Sequence, residues 1–288
     1  MDFNDLLIKQ DIDPATVLVL RHTPRDREFR RKLPWLAADH PDLFNVYQQT
    51  QSRHVEGQMR GAEHVASFIG LSGGRAVFVG LYRCGLVHPL TYEQYWETPE
   101  HQQLRELGER GFQGNRDTIL SFDLEREPFY EEWKGRLVVH WPPPPINWSR
   151  WAQANKFPIF AIHESSILND GMPSWDELVL TIADLVVLPT QWETAIGQWR
   201  GIYFILDETD GTGYIGSAYG VDNIYGRWMS YAQQGHGGNV ELQGRDPTRF
   251  RFSILQLVSP DESEAEVLKL EAAWKRRLHT REFGLNRN

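Results

Sequence analysis

The chain has 288 residues, of which 41% are hydrophobic and 24% charged, which is ordinary for a globular protein of about two domains. Its single cysteine, Cys84, excludes an intramolecular disulfide and a cysteine-based zinc site. The formal net charge of −9 disfavours nucleic-acid binding by the surface as a whole, since phosphate contacts need Lys and Arg. Residues 1–199 carry −8 of this charge and residues 200–288 only −1, so local patches must supply any phosphate contact.

The chain also shows no pattern of export or membrane insertion. No stretch of about 18 apolar residues is present, so we expect no transmembrane helix. The first residues, Met1 to Asp5, lack the basic and apolar segments of a signal peptide. We therefore expect a cytoplasmic protein without a membrane partner.

Residues 1–175 have the pattern of a strand-rich domain that is also rich in tryptophan. Short apolar segments bounded by turn-forming residues are typical of strands, and they lie at residues 17–20, 66–70, 75–82, 119–124, 136–141 and 157–162. Many short strands with few long helical patterns predict a small β-barrel or a strongly curved sheet. The basic run over residues 21–32 is more typical of a solvated surface helix than of a phosphate-contacting arm.

Residues 176–199 are predicted to form a helical connector between this domain and a second one at residues 200–288. Leu178, Ile182 and Leu185 recur at helical spacing. Pro189 interrupts the pattern, and the boundary to the second domain is placed near Trp199.

The second domain begins with the pattern of a β-hairpin. Residues 201–206 and the segment that starts at Tyr214 are predicted strands, and Asp, Thr and Gly between them are typical of a turn. The alternation of Phe250, Phe252 and Ile254 predicts a third, half-buried strand.

Two helices are predicted in the same domain. Asp222 is a suitable cap for a helix that carries Arg227. Residues 259–262, Ser-Pro-Asp-Glu, have the pattern of a capping box at the start of a helix that ends at about Leu278.

Two tripeptides of this domain, residues 201–203 (Gly-Ile-Tyr) and 214–216 (Tyr-Ile-Gly), resemble the name-giving triplets of the GIY-YIG nuclease superfamily. The residues that follow resemble the rest of the family's active-site set in order and spacing, and they are Arg227, His236, Glu271 and Asn286. The resemblance covers residues 200–288 only. It implies a three-stranded antiparallel sheet flanked by helices. Together with the barrel-like first domain predicted from the strand pattern, this gives a chain of the α+β class.

The resemblance also implies an endonuclease that hydrolyses phosphodiester bonds with a divalent metal ion. Glu271 is the expected ligand of Mg²⁺ or Mn²⁺, because a carboxylate is a hard oxygen ligand. Arg227 is expected to hold the scissile phosphate as negative charge builds on it. Tyr203 is the expected general base, provided that the metal or an arginine lowers its ordinary pKa of about 10; otherwise a metal-bound water takes that role. Tyr214 would orient water or phosphate.

His236 would share the orienting role of Tyr214, and Asn286 would brace the site by hydrogen bonds. Each residue of the set also has an ordinary explanation when it is taken alone. The two tyrosines of the triplets would form a cross-strand aromatic pair, and Arg227 would lie on a helix surface. Glu271 would form an ion pair with Lys275 one helical turn away. The complete set at family spacing favours an active site.

Both domains offer residues for contacts with DNA. On the second domain, Arg249, Arg251 and Lys275 are candidates for contacts with the phosphate backbone. The first domain resembles the PUA-like barrels, which include domains that recognise modified bases, and an extruded base is held by aromatic stacking. The aromatic candidates are Tyr82, Trp141 and Trp148, with Trp35, Trp96 and Trp151 as further ones. Ordinary packing is the simpler explanation for each of them singly.

These resemblances predict a modification-dependent restriction enzyme, in which the first domain recognises a modified base and the second domain cuts. One alternative is a homing, repair or unmodified-site restriction nuclease, and another is a catalytically inactive DNA-binding module. The expected partner is double-stranded DNA, with modified cytosine as the leading target. Because one such active site cuts one strand, we expect a homodimer at least on DNA.

Overall fold

The computed structural model describes residues 1–144, 146–169, 171–220 and 223–287. It divides the chain into two compact units, Met1–Asp170 and Gly171–Asn288. Asp222, the predicted helix cap, lies outside the described residues. The segment 176–199, predicted as a connector, lies in the second unit.

The first unit is built on one mixed sheet. Its strands are β1 (Val17–His22), β2 (His64–Leu71), β3 (Arg75–Leu90), β4 (Ile119–Glu127), β5 (Leu137–His140), β6 (Ser149–Trp151) and β7 (Ile159–Ile162). The order is β6-β1-β2-β3-β5-β7, and β4 also pairs with β3. β1 and β2 are parallel, and the other pairs are antiparallel. This order does not confirm the predicted barrel.

Within the described residues, the first unit contains six α-helices, few of which the sequence pattern predicted. They are α1 (Phe3–Lys9), α2 (Arg27–Asp39), α3 (Pro41–Gln49), α4 (Arg53–Met59), α5 (Tyr92–Glu97) and α6 (Pro99–Glu106). Three of them, α2 to α4, lie between the parallel strands β1 and β2, where a crossover connection is required. The prediction that this domain contains few helices was therefore wrong. The basic run, predicted as a surface helix, is divided between the end of β1 and the start of α2.

The core of the first unit lies on both faces of the sheet. Val17 and Val19 of β1 belong to one buried cluster, and Leu18 and Leu20 belong to another. This two-sided burial follows from the alternation of side chains along a strand, and it explains why β1 is apolar without interruption.

The second unit contains a four-stranded sheet. Its strands are β8 (Val179–Thr181), β9 (Arg200–Asp207), β10 (Thr212–Ala218) and β11 (Phe250–Val258), in the antiparallel order β10-β9-β11-β8. Its helices are α7 (Ile182–Leu185), α8 (Thr190–Gln198), α9 (Asn223–Gln234) and α10 (Glu264–Arg277). The predicted three-stranded sheet was therefore wrong by one strand. The chain is of the α+β class, as predicted.

The start of α10 differs from the predicted capping box. Ser263 is the N-cap, and its hydroxyl accepts a hydrogen bond from the backbone N–H of Glu266. Glu262, the last residue of the predicted capping box, lies before the helix and not in its first turn.

Across the described ranges, none of the helices has both the length and the apolar character that a bilayer crossing requires.

Candidate active site

The β9–β10 hairpin brings the two name-giving triplets together. Tyr203 of β9 pairs with Gly216 of β10, so that the tyrosine ring crosses directly over the glycine. A Cβ atom added at Gly216 would collide with the ring and hydroxyl of Tyr203. The glycine of the second triplet therefore makes room for the tyrosine of the first.

Tyr203 lies at the centre of a hydrogen-bonded group of polar side chains. It is fully buried, and its hydroxyl lies 2.9 Å from the hydroxyl of Tyr231. The Nε of Arg227 donates a hydrogen bond of 3.2 Å to the same oxygen. The guanidinium carbon of Arg227 also lies 5.4 Å from the centre of the Tyr231 ring, at cation–π distance. These contacts hold Arg227 in one position before any phosphate binds.

Burial governs the protonation of the tyrosines in this group. It raises the pKa of Tyr203 well above its ordinary value, although Arg227 opposes the shift. Burial likewise raises the pKa of the Tyr214 phenol. Both phenols therefore carry their protons at neutral pH in this state. The expected role of Tyr203 as general base requires a change in its surroundings when substrate and metal bind.

Glu271 lies on α10 and faces the same group. Its carboxylate accepts a hydrogen bond from the Ser217 hydroxyl of β10. The Nζ of Lys275, one helical turn further on, lies 2.7 Å from the other carboxylate oxygen. Lys275 is only 4% exposed, so the prediction that it contacts the DNA backbone from a helix surface was wrong. The ion pair named as the ordinary explanation of Glu271 is present, and it lies inside the site.

Asn286 connects the C-terminal segment to the hairpin. Its side-chain oxygen accepts a hydrogen bond of 2.9 Å from the backbone N–H of Ile215. Its side-chain nitrogen donates one of 2.8 Å to the Ile215 carbonyl. Asn286 is 1% exposed, so these hydrogen bonds are shielded from water and hold its side chain against the hairpin. It acts on the backbone next to Tyr214, without lining the cavity itself.

The assembled residues line two cavities that share Tyr214 and Arg227. The first has a volume of about 560 Å³ and is lined by Tyr203, Tyr214, Ser217, Arg227, Ser230 and Glu271, among others. The second has a volume of about 430 Å³ and is lined by Tyr214, Arg227, Asn239, Glu241, Leu285 and Arg287, with two neighbours. Arg227 and Tyr214 thus form a boundary that the two cavities have in common.

His236 is the predicted site residue that lies apart from the others. Among the described residues, it lines neither cavity. Its Nδ1 accepts a hydrogen bond of 3.0 Å from the backbone N–H of Gly238, and its carbonyl accepts one from Asn239. In this structure it therefore shapes the loop that forms one wall of the second cavity.

The remaining predicted DNA contacts of this unit lie outside both cavities. Arg251 forms an ion pair with Glu208, and Arg249 lies 4.0 Å from the same carboxylate. Both guanidinium groups remain partly exposed. Their contact with phosphate stays a prediction.

The aromatic candidates of the first unit are mainly core residues. Trp141 is 5% exposed and packs in one core cluster, while Tyr82 is 4% exposed and packs in the other. Trp148 packs against the second cluster and is partly buried. The prediction that Tyr82 and Trp141 stack on a base was therefore wrong, because their rings already serve the core.

Sequence reasoning missed two members of the site. Tyr231 lies one helical turn after Arg227 on α9, so helical spacing placed it on the same face. Ser217 belongs to the stretch that continues the second triplet, but its type alone assigns it no role. Both residues were available in the sequence without a signal that distinguished them.

A guanidinium, a carboxylate and several hydroxyls around one cavity are suited to an enzyme that acts on a phosphate ester. Residues 200–286 match the family described as "GIY-YIG catalytic domain". Residues 200–286 of the second unit are therefore a GIY-YIG catalytic domain, and this domain identifies an endonuclease of the GIY-YIG type. The first unit lies outside this match.

Two solved structures are similar to this domain. A point mutant of the catalytic domain of intron endonuclease I-TevI is 21% identical, with 32% of this chain and 95% of that chain covered and a TM-score of 0.27. The catalytic domain of homing endonuclease I-TevI is 26% identical, with 30% and 96% covered and a TM-score of 0.26. A comparison with curated proteins gives no match.

Proposed function

We propose that this protein is a divalent-metal-dependent DNA endonuclease that restricts DNA containing modified cytosine. The observation that supports the cutting step is the placement of Arg227 and Glu271 on the wall of one cavity with Tyr203 and Tyr214. The second unit cuts, and the first unit selects the DNA. A cytoplasmic location is part of the same proposal.

The residues of the site divide the chemical work between them. Arg227, held by Tyr203, points an always-charged group at the position where a phosphate would gain negative charge. Tyr214 lies between the two cavities and positions the phosphate or the attacking water. Asn286 keeps the Tyr214 strand in place through the backbone of Ile215.

The side chains present fit a single Mg²⁺ or Mn²⁺. Glu271 offers a hard carboxylate on the cavity wall, and Mg²⁺ usually binds one or two carboxylates together with water and substrate phosphate. Within the described ranges, no group of three or more His, Cys, Asp or Glu side chains is suited to hold a metal, which is consistent with a site completed by substrate. When bound, the ion would act as a Lewis acid on the phosphate. Lys275 would have to release Glu271 at least in part.

The test of this proposal compares plasmids with and without 5-methylcytosine or 5-hydroxymethylcytosine, in the presence of Mg²⁺. We expect cutting of modified plasmid only, and none when Glu271→Ala replaces the wild type. Equal cutting of all plasmids would instead indicate a nuclease for unmodified sites. If no plasmid is cut, and Glu271→Ala behaves like the wild type, the domain is a DNA-binding module only.

The crossing of Tyr203 over Gly216 gives a separate prediction. We expect Gly216→Ala to lower cleavage about 100-fold, because the added methyl group displaces the tyrosine that holds Arg227. Overpacking should also lower the free energy of unfolding by about 1–3 kcal/mol. Nicking rates and urea unfolding measure the two effects. Gly197→Ala is the control, since its added Cβ would meet only the Cβ of Tyr225, at 4.0 Å; a Gly216→Ala enzyme as active as this control would contradict the expectation.

A duplex break requires two strand scissions, which predicts a homodimer on DNA. We expect the protein bound to an uncleavable modified duplex to show the mass of two chains per duplex by light scattering. Unbound protein and protein mixed with unmodified duplex are the controls. A strictly monomeric complex that still breaks both strands would contradict the prediction.

A further inference from the structure

The first unit contains a cavity of about 560 Å³ that the catalytic domain does not account for. It is lined by one residue each of α3, α5, α6 and β4, and by residues of segments 50–53 and 109–116. This volume lies within the range of about 300–1,000 Å³ that is typical of sites for small organic ligands. None of the residues predicted to bind a base lines it.

One part of the cavity wall is aromatic and held in place by its neighbours. Tyr47, Tyr95 and Phe112 line it. Tyr95 stacks on His101 with a ring separation of 3.7 Å and an angle of 14°, and its ring centre lies 5.9 Å from that of Phe112. The carbonyl of Phe112 accepts a hydrogen bond of 3.1 Å from the indole N–H of Trp96. Tyr95 and Phe112 are each only 3% exposed and also serve a local core cluster, but unlike Tyr82 and Trp141 they border this cavity, so a flat ligand would meet the exposed edges of their rings.

The polar part of the wall contains one carboxyl group that is not committed to an ion pair. Glu109 lies at intermediate depth, and burial raises the pKa of its side chain. One of its oxygens accepts a hydrogen bond of 3.3 Å from the backbone N–H of Gly111. By contrast, Arg116 is bound to Glu56 by two contacts of 2.6 Å each, so it forms a rigid edge of the cavity. Because a carboxylate offers about four acceptor positions, Glu109 can still accept a hydrogen bond from a ligand.

A second, smaller cavity of about 300 Å³ adjoins the first and shares Arg53 and Arg116 with it. It also includes Arg60. Arg53 and Arg60 are exposed, and neither has an ion-pair partner within the described part of the chain. In a region with a net charge of −8, two such guanidiniums beside a ligand-sized cavity are suited to a phosphate group.

We propose that this cavity is a nucleobase pocket, in which a base turned out of duplex DNA lies against Tyr95 and Phe112 and donates its exocyclic amino group to Glu109. Arg53 and Arg60 then contact the adjoining phosphates. A carboxylate oxygen is the usual partner of the cytosine amino group, and thymine lacks such a group. The inference rests on the DNA-cutting function proposed above, and it names the residues by which the first unit selects its target.

The first experiment measures binding without catalysis. The full chain, in buffer free of divalent ions, is titrated into labelled duplexes that are fully paired or carry one mispaired cytosine or thymine, since an unpaired base costs least to extrude. We expect the protein to bind the duplex with mispaired cytosine about tenfold or more tightly than the paired duplex. The duplex with mispaired thymine should show a smaller increase in affinity. Equal affinity for all three duplexes would overturn the proposal. Free deoxycytidine monophosphate as competitor distinguishes a pocket for DNA from one for a free nucleotide, and binding of the mononucleotide alone would also overturn it.

Variants then test the individual residues. Glu109→Ala should reduce the preference for mispaired cytosine about tenfold, whereas Glu106→Ala, on the exposed side of α6, should leave it unchanged. Phe112→Leu, which keeps an apolar side chain in the local core, should also weaken that preference. Replacing Arg53 and Arg60 by alanine should lower the affinity for all duplexes alike and reduce the salt dependence of binding. A Glu109→Ala protein with the wild-type preference would overturn the proposal.

Plasmid cutting by the same proteins separates the two proposals. If the wild type cuts plasmid but shows no base preference in binding, the proposed pocket is contradicted and the proposed nuclease function stands. If the base preference depends on Glu109 but the wild type cuts no plasmid under any condition, the proposed pocket stands and the proposed nuclease function is contradicted.

Discussion

Replacing Arg227 by alanine should lower the rate of single-turnover DNA cleavage by about 100- to 1,000-fold, the usual cost of removing one group that stabilises transition-state charge. Arg227 is the only guanidinium that lines both cavities within the described residues. Its contact with Tyr203 orients it in advance, so its loss should affect the chemical step more than DNA binding. Plasmid nicking at saturating Mg²⁺, together with binding measured without metal, separates the two effects.

The Arg227→Lys variant makes this test more specific. A lysine keeps the charge but cannot form two parallel hydrogen bonds to a phosphate, so we expect activity between those of Arg227→Ala and the wild type. Arg276→Ala removes an exposed guanidinium of α10 that lines neither cavity and should cut normally. Wild-type cleavage by Arg227→Ala would remove the basis for the proposed site.

Replacing Glu271 by glutamine should abolish detectable cleavage, a loss of about 1,000-fold or more, since a neutral amide is a poor ligand for Mg²⁺. The same change leaves the ammonium of Lys275 buried without its carboxylate. We therefore also expect the free energy of unfolding to fall by about 3 kcal/mol. Nicking assays across a Mg²⁺ and Mn²⁺ series, with urea unfolding in parallel, measure both effects.

A double variant distinguishes lost chemistry from lost stability. In Glu271→Gln with Lys275→Met, the buried ammonium is removed together with the carboxylate, so stability should largely return while cleavage stays absent. Glu266→Gln on the same helix breaks an exposed ion pair with Lys269 and should leave the free energy of unfolding nearly unchanged. If the stable double variant cuts DNA, Glu271 is not the metal ligand.

The hairpin was the most predictable part of the site, because its contacts join residues that are close in sequence. The strands that contain Tyr203 and Tyr214 are adjacent in sequence and joined by a short turn, so pattern and turn chemistry both indicate them. The cluster formed by Ser217, Glu271 and Lys275 joins a strand to a helix more than 50 residues later, and no spacing rule indicates that contact. Lys275 was for that reason predicted on the surface.

The missed strand β8 shows the limit of periodicity. Its three residues lie in a stretch where Leu178, Ile182 and Leu185 fit a helix, yet the backbone pairs with β11 some 70 residues away. That pairing is non-local, and three residues are too few for a strand pattern to dominate. In the first unit, short helices of six to nine residues were hidden for a similar reason, because few apolar positions repeat within them.

The anchoring of Asn286 to Ile215 has a practical consequence for protein engineering. Arg287, the next residue, lines the cavity that also contains Tyr214 and Arg227. A fluorescent or affinity label attached to the side chain at position 287 would therefore occupy this cavity. Such a label would make a wild-type enzyme resemble an inactive variant, so labels belong on side chains remote from the cavity.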